Sequence, residues 1–468
     1  MEDLPAELLE EVFSFLPKDM VAIAARTCKR WFWHCPETLR RKLSTRRVCS
    51  SLALLQWALD NGYSLDDSTC QQAAKGGHLE VIQWAREKGC SWDFWVTARA
   101  AQNGHLEVLK WVREQGCPWN SWTCKYAAQN GLLEVLQWAH RNGCPWDDET
   151  TAAAAENGHL AVLQWARKQG CPWSCWTCKN AARNGHLEVL QWAQENGCPW
   201  GASTLEEAAR DGHLEVVKWA HAHGCPWDER TCMAAASNGH LEVLKWVREQ
   251  GCPWDHRTCS DAAMKGHLEV LKWAREHGCP WDPERCSELA AERGFLHTLL
   301  WIREQGCPWQ KHVCSSAAKY GHFEVLKWAR EQGCPWDSEV CAHIAAKGDL
   351  AVLRWARDNG CPWDARTFNS AARQGHLELM KWARATGCPW DDKACLYAAM
   401  EGNLEVLKWC RETGSPWNDR ICCYAASNGH LEVLKWARQN GCPWFKFEVY
   451  RWGRDFPRVV EWLDGQPK

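Results

Sequence analysis

The sequence lacks several features that would place it in a functional class at once. Its 468 residues carry a formal charge of only −3, so there is no electrostatic reason to expect nucleic acid or an anionic membrane as a partner. It contains no apolar run of the ~18 residues that a transmembrane helix needs, and its acidic start is unlike a signal peptide. We therefore expect a soluble protein of the cytoplasm or nucleus.

Signatures of catalysis and of metal binding are also missing. The sequence has no phosphate-binding loop and no isolated Ser/His/Asp or Cys/His set. Its many cysteines do not follow the paired CxxC and HxxxH spacing of zinc sites. The sequence thus predicts a protein that is not an enzyme and that has no cofactor and no metal site.

A repeat of 27 residues runs through most of the chain. Its glycine recurs from Gly77 to Gly266 and, after one extra residue, from Gly294 to Gly429. One copy, 239–255, reads Gly-His-Leu-Glu-Val-Leu-Lys-Trp-Val-Arg-Glu-Gln-Gly-Cys-Pro-Trp-Asp. A fixed period in this range is typical of stacked units, none of which can bury its apolar face alone. The repeat therefore favours a surface that holds a partner over a catalytic pocket.

Each repeat is predicted to fold as two short helices. The first covers residues such as 231–238, where a pair of small alanines lets the next helix approach closely. The repeat glycine is expected in the left-handed conformation just beyond this helix. The second helix is predicted over 240–249, with its polar residues Glu242, Lys245 and Arg248 facing outward. A glycine and a Cys-Pro-Trp-Asp connector end it, since proline cannot continue a helix.

Most cysteines belong to two positions of the repeat, one in the connector, as at Cys117, and one in the first helix, as at Cys124. Equivalent positions in neighbouring units are expected about 8–10 Å apart, which exceeds the reach of a disulfide. We interpret these cysteines as buried, reduced, small apolar residues. Metal binding is the alternative.

Tryptophan and histidine recur with the same period. One tryptophan lies in the second helix, as at Trp111, and another in the connector, as at Trp119. We interpret both sets as core between repeats, with stacking on a ligand as the alternative. A histidine follows the repeat glycine, as at His159, but Leu132 replaces it elsewhere. Such free replacement indicates a structural helix cap rather than a catalytic or metal-binding group.

The string Ala-Ala-x-x-Gly-His-Leu-Glu-Val-Leu-Lys resembles the ankyrin repeat. Ankyrin units run to 33 residues, and the residues missing here fall where that family projects a β-hairpin finger. The resemblance implies an all-α, ankyrin-like helix-pair solenoid whose repeats lack most of the finger. The Gly-Cys-Pro-Trp-Asp form of the unit also resembles arrays that are abundant in giant DNA viruses of amoebae, in which case the protein would act in the host cell.

A different pattern precedes the repeats. It combines Leu-Pro, Leu-Leu, Val-Phe-x-Phe-Leu-Pro and Cys-Lys-Arg-Trp in an order that resembles an F-box. The resemblance implies docking onto the Skp-type adaptor of a cullin–RING ubiquitin ligase. The adaptor-binding residues that it implies are Leu4, Pro5, Leu8, Leu9, Val12, Phe13, Leu16, Pro17 and Met20. The alternative is a helical cap that covers the first repeat.

Three segments follow from these patterns. Residues 1–48 are predicted to form the F-box-like helical domain with a basic hinge, residues 49–452 an array of about 14 repeats, and residues 453–468 a capping segment. The hinge interpretation rests on the basic residues between Arg40 and Arg47, which could instead form a nuclear signal or a phosphate contact.

Recognition is expected at positions that vary between repeats. Aromatic residues and histidines occupy these positions unevenly: Phe94, Trp95, Trp122, Tyr126, Trp176, His256, His312, His343, Phe368, Tyr397 and Tyr424. Because Trp and Tyr often dominate interfaces, we predict a target-binding stripe. Its members are Trp95, Trp122, Tyr126 and Trp176. The alternative is that these are scattered surface aromatics.

The combination predicts a substrate-recognition subunit that is monomeric outside its ligase complex. The F-box would dock the ligase and the array would hold an unknown target protein. The alternative is a non-catalytic binding scaffold, or a decoy that occupies the adaptor without directing ubiquitination.

Overall fold

The computed structural model describes residues 49–60, 64–415, 417 and 420–466. Every regular element in these residues is an α-helix, which confirms the all-α class, and none of the helices is both long and apolar enough to cross a membrane. The helices are α1 Leu52–Asp60, α2 Asp67–Gly76, α3 Leu79–Glu87, α4 Phe94–Gln102, α5 Leu106–Glu114, α6 Ser121–Gln129, α7 Leu133–Arg141, α8 Asp148–Glu156, α9 Leu160–Lys168, α10 Cys175–Arg183, α11 Leu187–Glu195, α12 Ala202–Arg210, α13 Leu214–Ala222, α14 Glu229–Ser237, α15 Leu241–Glu249, α16 His256–Lys265, α17 Leu268–Glu276, α18 Pro283–Arg293, α19 Leu296–Glu304, α20 Lys311–Tyr320, α21 Phe323–Glu331, α22 Ser338–Lys347, α23 Leu350–Asp358, α24 Ala365–Gln374, α25 Leu377–Ala385, α26 Lys393–Met400, α27 Leu404–Glu412, α28 Arg420–Ser427, α29 Leu431–Gln439, α30 Lys446–Gly453 and α31 Pro457–Asp464.

One repeat shows how the sequence sets these boundaries. The side chain of Asn120 caps α6 by accepting a hydrogen bond from the Trp122 amide at 3.1 Å. Beyond α6, Gly131 has φ of 71° and occupies the left-handed region as expected. Beyond α7, Gly143 has φ of 82° and lies in the same region. The connector at Pro145 then leads to the next first helix, with no β-hairpin between them.

The described chain forms two compact units. The first comprises residues up to Ala235 together with Glu242–Pro253, and the second comprises Ala236–Leu241 together with the residues from Trp254 onward. Even-numbered helices are the first helix of each repeat, and odd-numbered helices are the second. Inside each unit, successive first helices pack side by side, as α4 does on α6 and α22 on α24. Each unit is thus a stack of ankyrin-like helix pairs, as in a repeat solenoid.

The core lies between the first and second helices of each repeat. In one repeat it comprises the alanine pair Ala127 and Ala128 from α6 and the side chains of Val135, Leu136 and Ala139 from α7. Because alanine is small, α6 and α7 approach closely and the larger side chains of α7 fill the space between them. The predicted alanine pair and the apolar side of the second helix are confirmed.

The tryptophans lie at the edge of this core, not inside it. Trp119 in a connector and Trp138 in the second helix of the next repeat are both half-buried, with ring centres 6.0 Å apart in an edge-to-face arrangement. The tryptophans were expected as core between repeats, and they do lie between repeats, but they are only half-buried. The rings do link consecutive repeats, but each keeps an edge in solvent because the connector runs along the surface.

The repeated arginine of the second helix is not simply solvated. Arg113 donates from Nη1 to the carbonyl of Cys117, four residues on, and its guanidinium carbon lies 4.0 Å from the centre of the Trp119 ring. Arg248, which was expected to face outward, donates to the Cys252 carbonyl in the same way. The arginine makes this contact because the connector folds back over the last turn of the helix, where the cysteine carbonyl can accept a hydrogen bond from the guanidinium.

The histidine after the repeat glycine is structural, but it is not a side-chain cap. His159 stands at the N-terminus of α9 and makes no capping hydrogen bond there. Its Nε2 instead lies 3.1 Å from the carbonyl oxygen of Gln129 in the preceding repeat. The expected capping role was wrong, because the ring turns back towards the preceding repeat and away from the amides of its own helix.

Cysteines of the two repeat positions meet within one repeat, with Cys70 Sγ 3.6 Å from Cys90 Sγ, and both remain free thiols. One residue expected at the surface lies elsewhere. Phe368, one of the residues at variable positions, is fully buried and occupies the cysteine position of its first helix. It therefore contributes to the core and not to a surface. The boundary expected at residue 453 stays a prediction.

Candidate target-binding surface

The residues expected to bind the adaptor, in the segment 4–20, lie outside the described residues. The surface that the structure does describe belongs to the repeats. Its variable positions lie on the first helices, which pack side by side within each unit.

Three of the four predicted target-binding residues lie together in the first unit. The ring centre of Trp122 lies 5.7 Å from that of Trp95 and 5.6 Å from that of Tyr126, and the centres of Trp95 and Tyr126 are 6.3 Å apart. These spacings are typical of interacting aromatic pairs. We call Trp95, Trp122 and Tyr126 the aromatic cluster.

Helix capping holds this cluster in place. The Asp93 carboxylate accepts a hydrogen bond from the Trp95 amide at 3.0 Å, and Asn120 does the same for Trp122 at 3.1 Å. Each tryptophan therefore stands in the first turn of a capped helix, at the same point of neighbouring repeats. Tyr126 follows Trp122 by one helical turn, which places the two on the same face.

Cationic side chains border the cluster. Lys125 Nζ lies 4.5 Å from the centre of the Trp122 ring, and the Arg99 guanidinium lies 5.3 Å from that of Trp95. Trp122 remains 37% exposed, so its ring is available to a partner. Lys125 also pairs with Glu149 at 2.8 Å. The surface therefore offers aromatic faces within a charged rim, the composition common at interface hot spots.

Trp176 does not join the cluster. It lies on α10, two repeats beyond α6, and is 54% exposed. Glu149 occupies the corresponding position of the intervening helix α8 and separates the two sites. Trp176 instead borders a depression of about 210 Å³, together with Lys125 and residues of α8. The predicted stripe is thus a cluster of three residues and one separate tryptophan.

A larger depression in the second unit was not expected from the sequence. It has a volume of about 660 Å³ and runs over α22, α24 and α26. Its lining residues are Glu339, Ala342, His343, Asp364, Ala365, Arg366, Asn369, Ser370, Arg373, Asp391, Lys393 and Tyr397. We call it the polar trough. The sequence did carry a signal, since Glu339, Arg366 and Lys393 follow one another at the repeat interval.

Ion pairs organise the walls of the polar trough. Arg366 lies 2.9 Å from Asp364 and 3.4 Å from Glu339, while Arg373 lies 2.9 Å from Glu401. Burial opposes ionisation of Asp364, but the hydrogen bond from Arg366 outweighs it and holds the pKa of this carboxyl below its usual range. Burial lowers the pKa of His343, so its ring is neutral near pH 7.

The described cysteines offer little chemistry. All are free thiols and all but Cys175 are buried, as their interpretation as apolar residues predicts. Burial raises the pKa of Cys117 to about 12, which keeps its thiol protonated and unreactive at neutral pH. Across the residues that the structure describes, no three His, Cys, Asp or Glu side chains are arranged to hold a metal ion.

Comparisons with known families agree with both parts of the sequence. Residues 205–248 and 395–438 match the family model for ankyrin repeats (many copies), and residues 1–46 match the F-box-like model. The chain combines an F-box-like region with ankyrin repeats. The resemblances to the ankyrin repeat and to the F-box are thereby confirmed at the level of these families.

Among individual proteins, no curated protein matches the chain. Among solved structures, the crystal structure of the human ASB11 ankyrin repeat domain is similar at 19% sequence identity, over 38% of this chain and 96% of that one, with a TM-score of 0.32.

Proposed function

We propose that this protein is a substrate-recognition subunit of a cullin–RING ubiquitin ligase. The observation that carries the proposal is the presence of an F-box-like region and ankyrin repeats in one chain. The F-box-like region would dock the Skp-type adaptor, and the repeats would hold the target for ubiquitin transfer. The protein itself would make no covalent bond with either partner.

The proposed adaptor contact consists of the apolar residues of the F-box-like motif. They are Leu4, Pro5, Leu8, Leu9, Val12, Phe13, Leu16, Pro17 and Met20. A segment this short cannot bury so many apolar side chains within itself. A partner surface that covers them would remove the exposed apolar area.

The proposed target contact is the aromatic cluster, with Trp176 as a separate point of contact. Trp122 is exposed and its neighbours Trp95 and Tyr126 support it from the side. A partner that covers this cluster would bury large, rigid side chains at a low cost in conformational entropy. The bordering charges of Lys125 and Arg99 would then set the orientation of the partner.

Adaptor capture tests the ligase side. The full chain, expressed with an affinity tag, should recover the cellular Skp-type adaptor, and the double substitution Leu8→Asp with Leu9→Asp should abolish this recovery. Trp122→Ala is the matched control, because it alters the repeats and leaves the F-box-like region intact. Failure of the unsubstituted chain to recover the adaptor would overturn the proposal.

A reconstituted ligase separates a receptor from a decoy. When the chain is added to purified adaptor, cullin and RING subunits, a receptor supports ubiquitin-chain formation on a bound target. A decoy binds the adaptor and lowers ubiquitination by other receptors. We expect the first result. The second would replace the receptor function with sequestration of the adaptor.

The source and the site of action are part of the proposal. The form of the repeat resembles arrays of giant DNA viruses of amoebae, so we propose that the adaptor and the target belong to a host cell and that the protein acts in its cytoplasm or nucleus. Imaging of the tagged chain in amoeba cells tests this directly. Accumulation in a membrane-enclosed compartment would contradict it.

A further inference from the structure

The polar trough of the second unit is lined by a side chain that has one unpaired oxygen. Asn369 lies on α24, in the middle of the trough, and is only 7% exposed. Its Oδ1 is buried and has no hydrogen-bond partner among the described residues. A buried polar atom without a hydrogen-bond partner costs folding free energy, so a ligand that donates to Asn369 would recover part of that cost.

The position of Asn369 is occupied by different residues in the two preceding repeats. Ser315 on α20, two repeats earlier, is equally buried, but its hydroxyl donates to the His312 carbonyl of its own helix at 3.3 Å. Ala342 on α22 has no polar side-chain group to satisfy. Asn369 Oδ1 is an acceptor, and none of the N–H or O–H groups of the described residues donates to it, although the residue lines the trough.

The chemistry of the trough fits a peptide better than a small molecule. Small-molecule sites are mostly apolar, with a few polar groups, whereas charged and polar side chains dominate this lining. A primary amide offers one acceptor and two donors, which match the N–H and C=O of a peptide unit. Arg366 and Arg373 are already paired with carboxylates, so they form walls and do not supply a free charge for a compact anion.

The dimensions agree with an extended segment. Packed helices are about 8–10 Å apart, so crossing from α22 to α26 covers roughly 20 Å. An extended chain rises about 3.3 Å per residue, and about six residues therefore span the trough. Asn369 would lie near the middle of such a segment.

We propose that the polar trough binds an extended peptide segment of a partner protein, and that Asn369 pairs its side-chain amide with one main-chain amide of that segment. The inference rests on the proposed function, because the segment would belong to the target. Recognition through the main chain would tolerate variation in the peptide sequence, while Tyr397 and His343 contact its side chains.

Selection from a phage library of linear 12-residue peptides, panned against the full chain, tests this inference. Enriched peptides should bind the unsubstituted protein and lose about tenfold or more in affinity with Asn369→Leu. Ser370→Trp, which fills the trough without altering Asn369, should also abolish binding. Ser315→Ala is the matched control and should leave the affinity unchanged. Circular dichroism verifies that each variant is folded.

Two results would overturn the inference. One is a selection that enriches no peptide. The other is a set of peptides that bind Asn369→Leu and Ser370→Trp as tightly as the unsubstituted chain. Failure of this inference is distinguishable from failure of the ligase proposal, because adaptor recovery is measured separately and depends on Leu8 and Leu9. Peptide binding without adaptor recovery would overturn only the ligase proposal.

Discussion

The ring of His159 lies directly against Gly131 of the preceding repeat. Its Nδ1 is 2.7 Å from the point where a Cβ at residue 131 would stand, and its Nε2 is 3.1 Å from the Gln129 carbonyl oxygen. The glycine is therefore required twice, once for its positive φ of 71° and once for the space that the ring occupies. The same contact recurs between other repeats, as where the ring of His186 lies against Gly158.

Gly131→Ala should destabilise the protein more than Gly143→Ala. Both glycines have positive φ, but nothing lies within 4 Å of a Cβ at Gly143. Backbone strain should cost about 1 kcal/mol at either site, and steric overlap with His159 should add about 1–3 kcal/mol at Gly131. Urea unfolding measures both. Adding His159→Ala to Gly131→Ala should recover the steric part. Equal losses for the two glycines would contradict this account of the histidine.

Arg113→Ala should lower the free energy of unfolding by about 1–2 kcal/mol, because it removes both the hydrogen bond to the Cys117 carbonyl and the stacking on Trp119. Arg113→Lys should recover only part of the loss, since lysine lacks the planar guanidinium. Lys110→Ala, which removes a pair with Glu107 on the same helix, is the control and should leave the thermal midpoint nearly unchanged. A similar effect of both alanine variants would show that the arginine contact contributes little.

Asn369→Leu should stabilise the protein by about 1 kcal/mol, in contrast to its expected loss of peptide binding. The substitution removes a buried oxygen that has no hydrogen-bond partner among the described residues. Leucine is also similar in volume to asparagine. Ser315→Ala should have the opposite sign, because it removes a hydroxyl that is already bonded. Thermal unfolding of both variants provides the comparison. A clear loss of stability for Asn369→Leu would mean that Asn369 has a structural role.

Alkaline pH should destabilise the protein through its buried thiols. The pKa of Cys117 is raised from 9.0 to about 12 in the folded chain, so the unfolded chain loses this proton first. The contribution of this thiol to stability is complete below pH 9 and is lost as the pH rises from 9 to about 12, with a loss of about 1 kcal/mol by pH 10. Cys117→Ala should therefore show a shallower decline between pH 7 and 10, measured with reductant present. The exposed Cys175→Ala should keep the decline of the unsubstituted protein. If the free energy of unfolding declined with pH at the same rate in Cys117→Ala and in the unsubstituted chain, the raised pKa of Cys117 would be contradicted.

Features within one repeat could be predicted from the sequence. The left-handed conformation of Gly131, the alanine pair of α6 and the i, i+3 pair of Glu242 and Lys245 at 2.8 Å all depend on residues close in the chain. The same holds for grouping Trp95 with Trp122, because equal positions of stacked repeats must lie side by side. The 27-residue period of the sequence indicates these relationships directly.

Features that depend on how helices and connectors fold back could not be predicted. His159 contacts a carbonyl 30 residues earlier, and Arg113 contacts a connector whose path periodicity does not define. The separation of Trp176 from the aromatic cluster, by contrast, could be predicted, because Trp176 follows Trp122 by two repeat intervals and Glu149 stands between them. The unpaired oxygen of Asn369 breaks the rule that buried polar atoms have partners, and no sequence rule would have placed it.

The central claim is that two parts of one chain bind two different proteins. Quantitative mass spectrometry of complexes captured on the tagged full chain tests it in a single measurement. Leu8→Asp with Leu9→Asp should lose the adaptor and keep the target, whereas Trp122→Ala should keep the adaptor and lower target recovery by tenfold or more. Trp176→Ala, outside the aromatic cluster, should have a smaller effect on the target. Loss of both proteins in either variant, or of neither, would contradict the account.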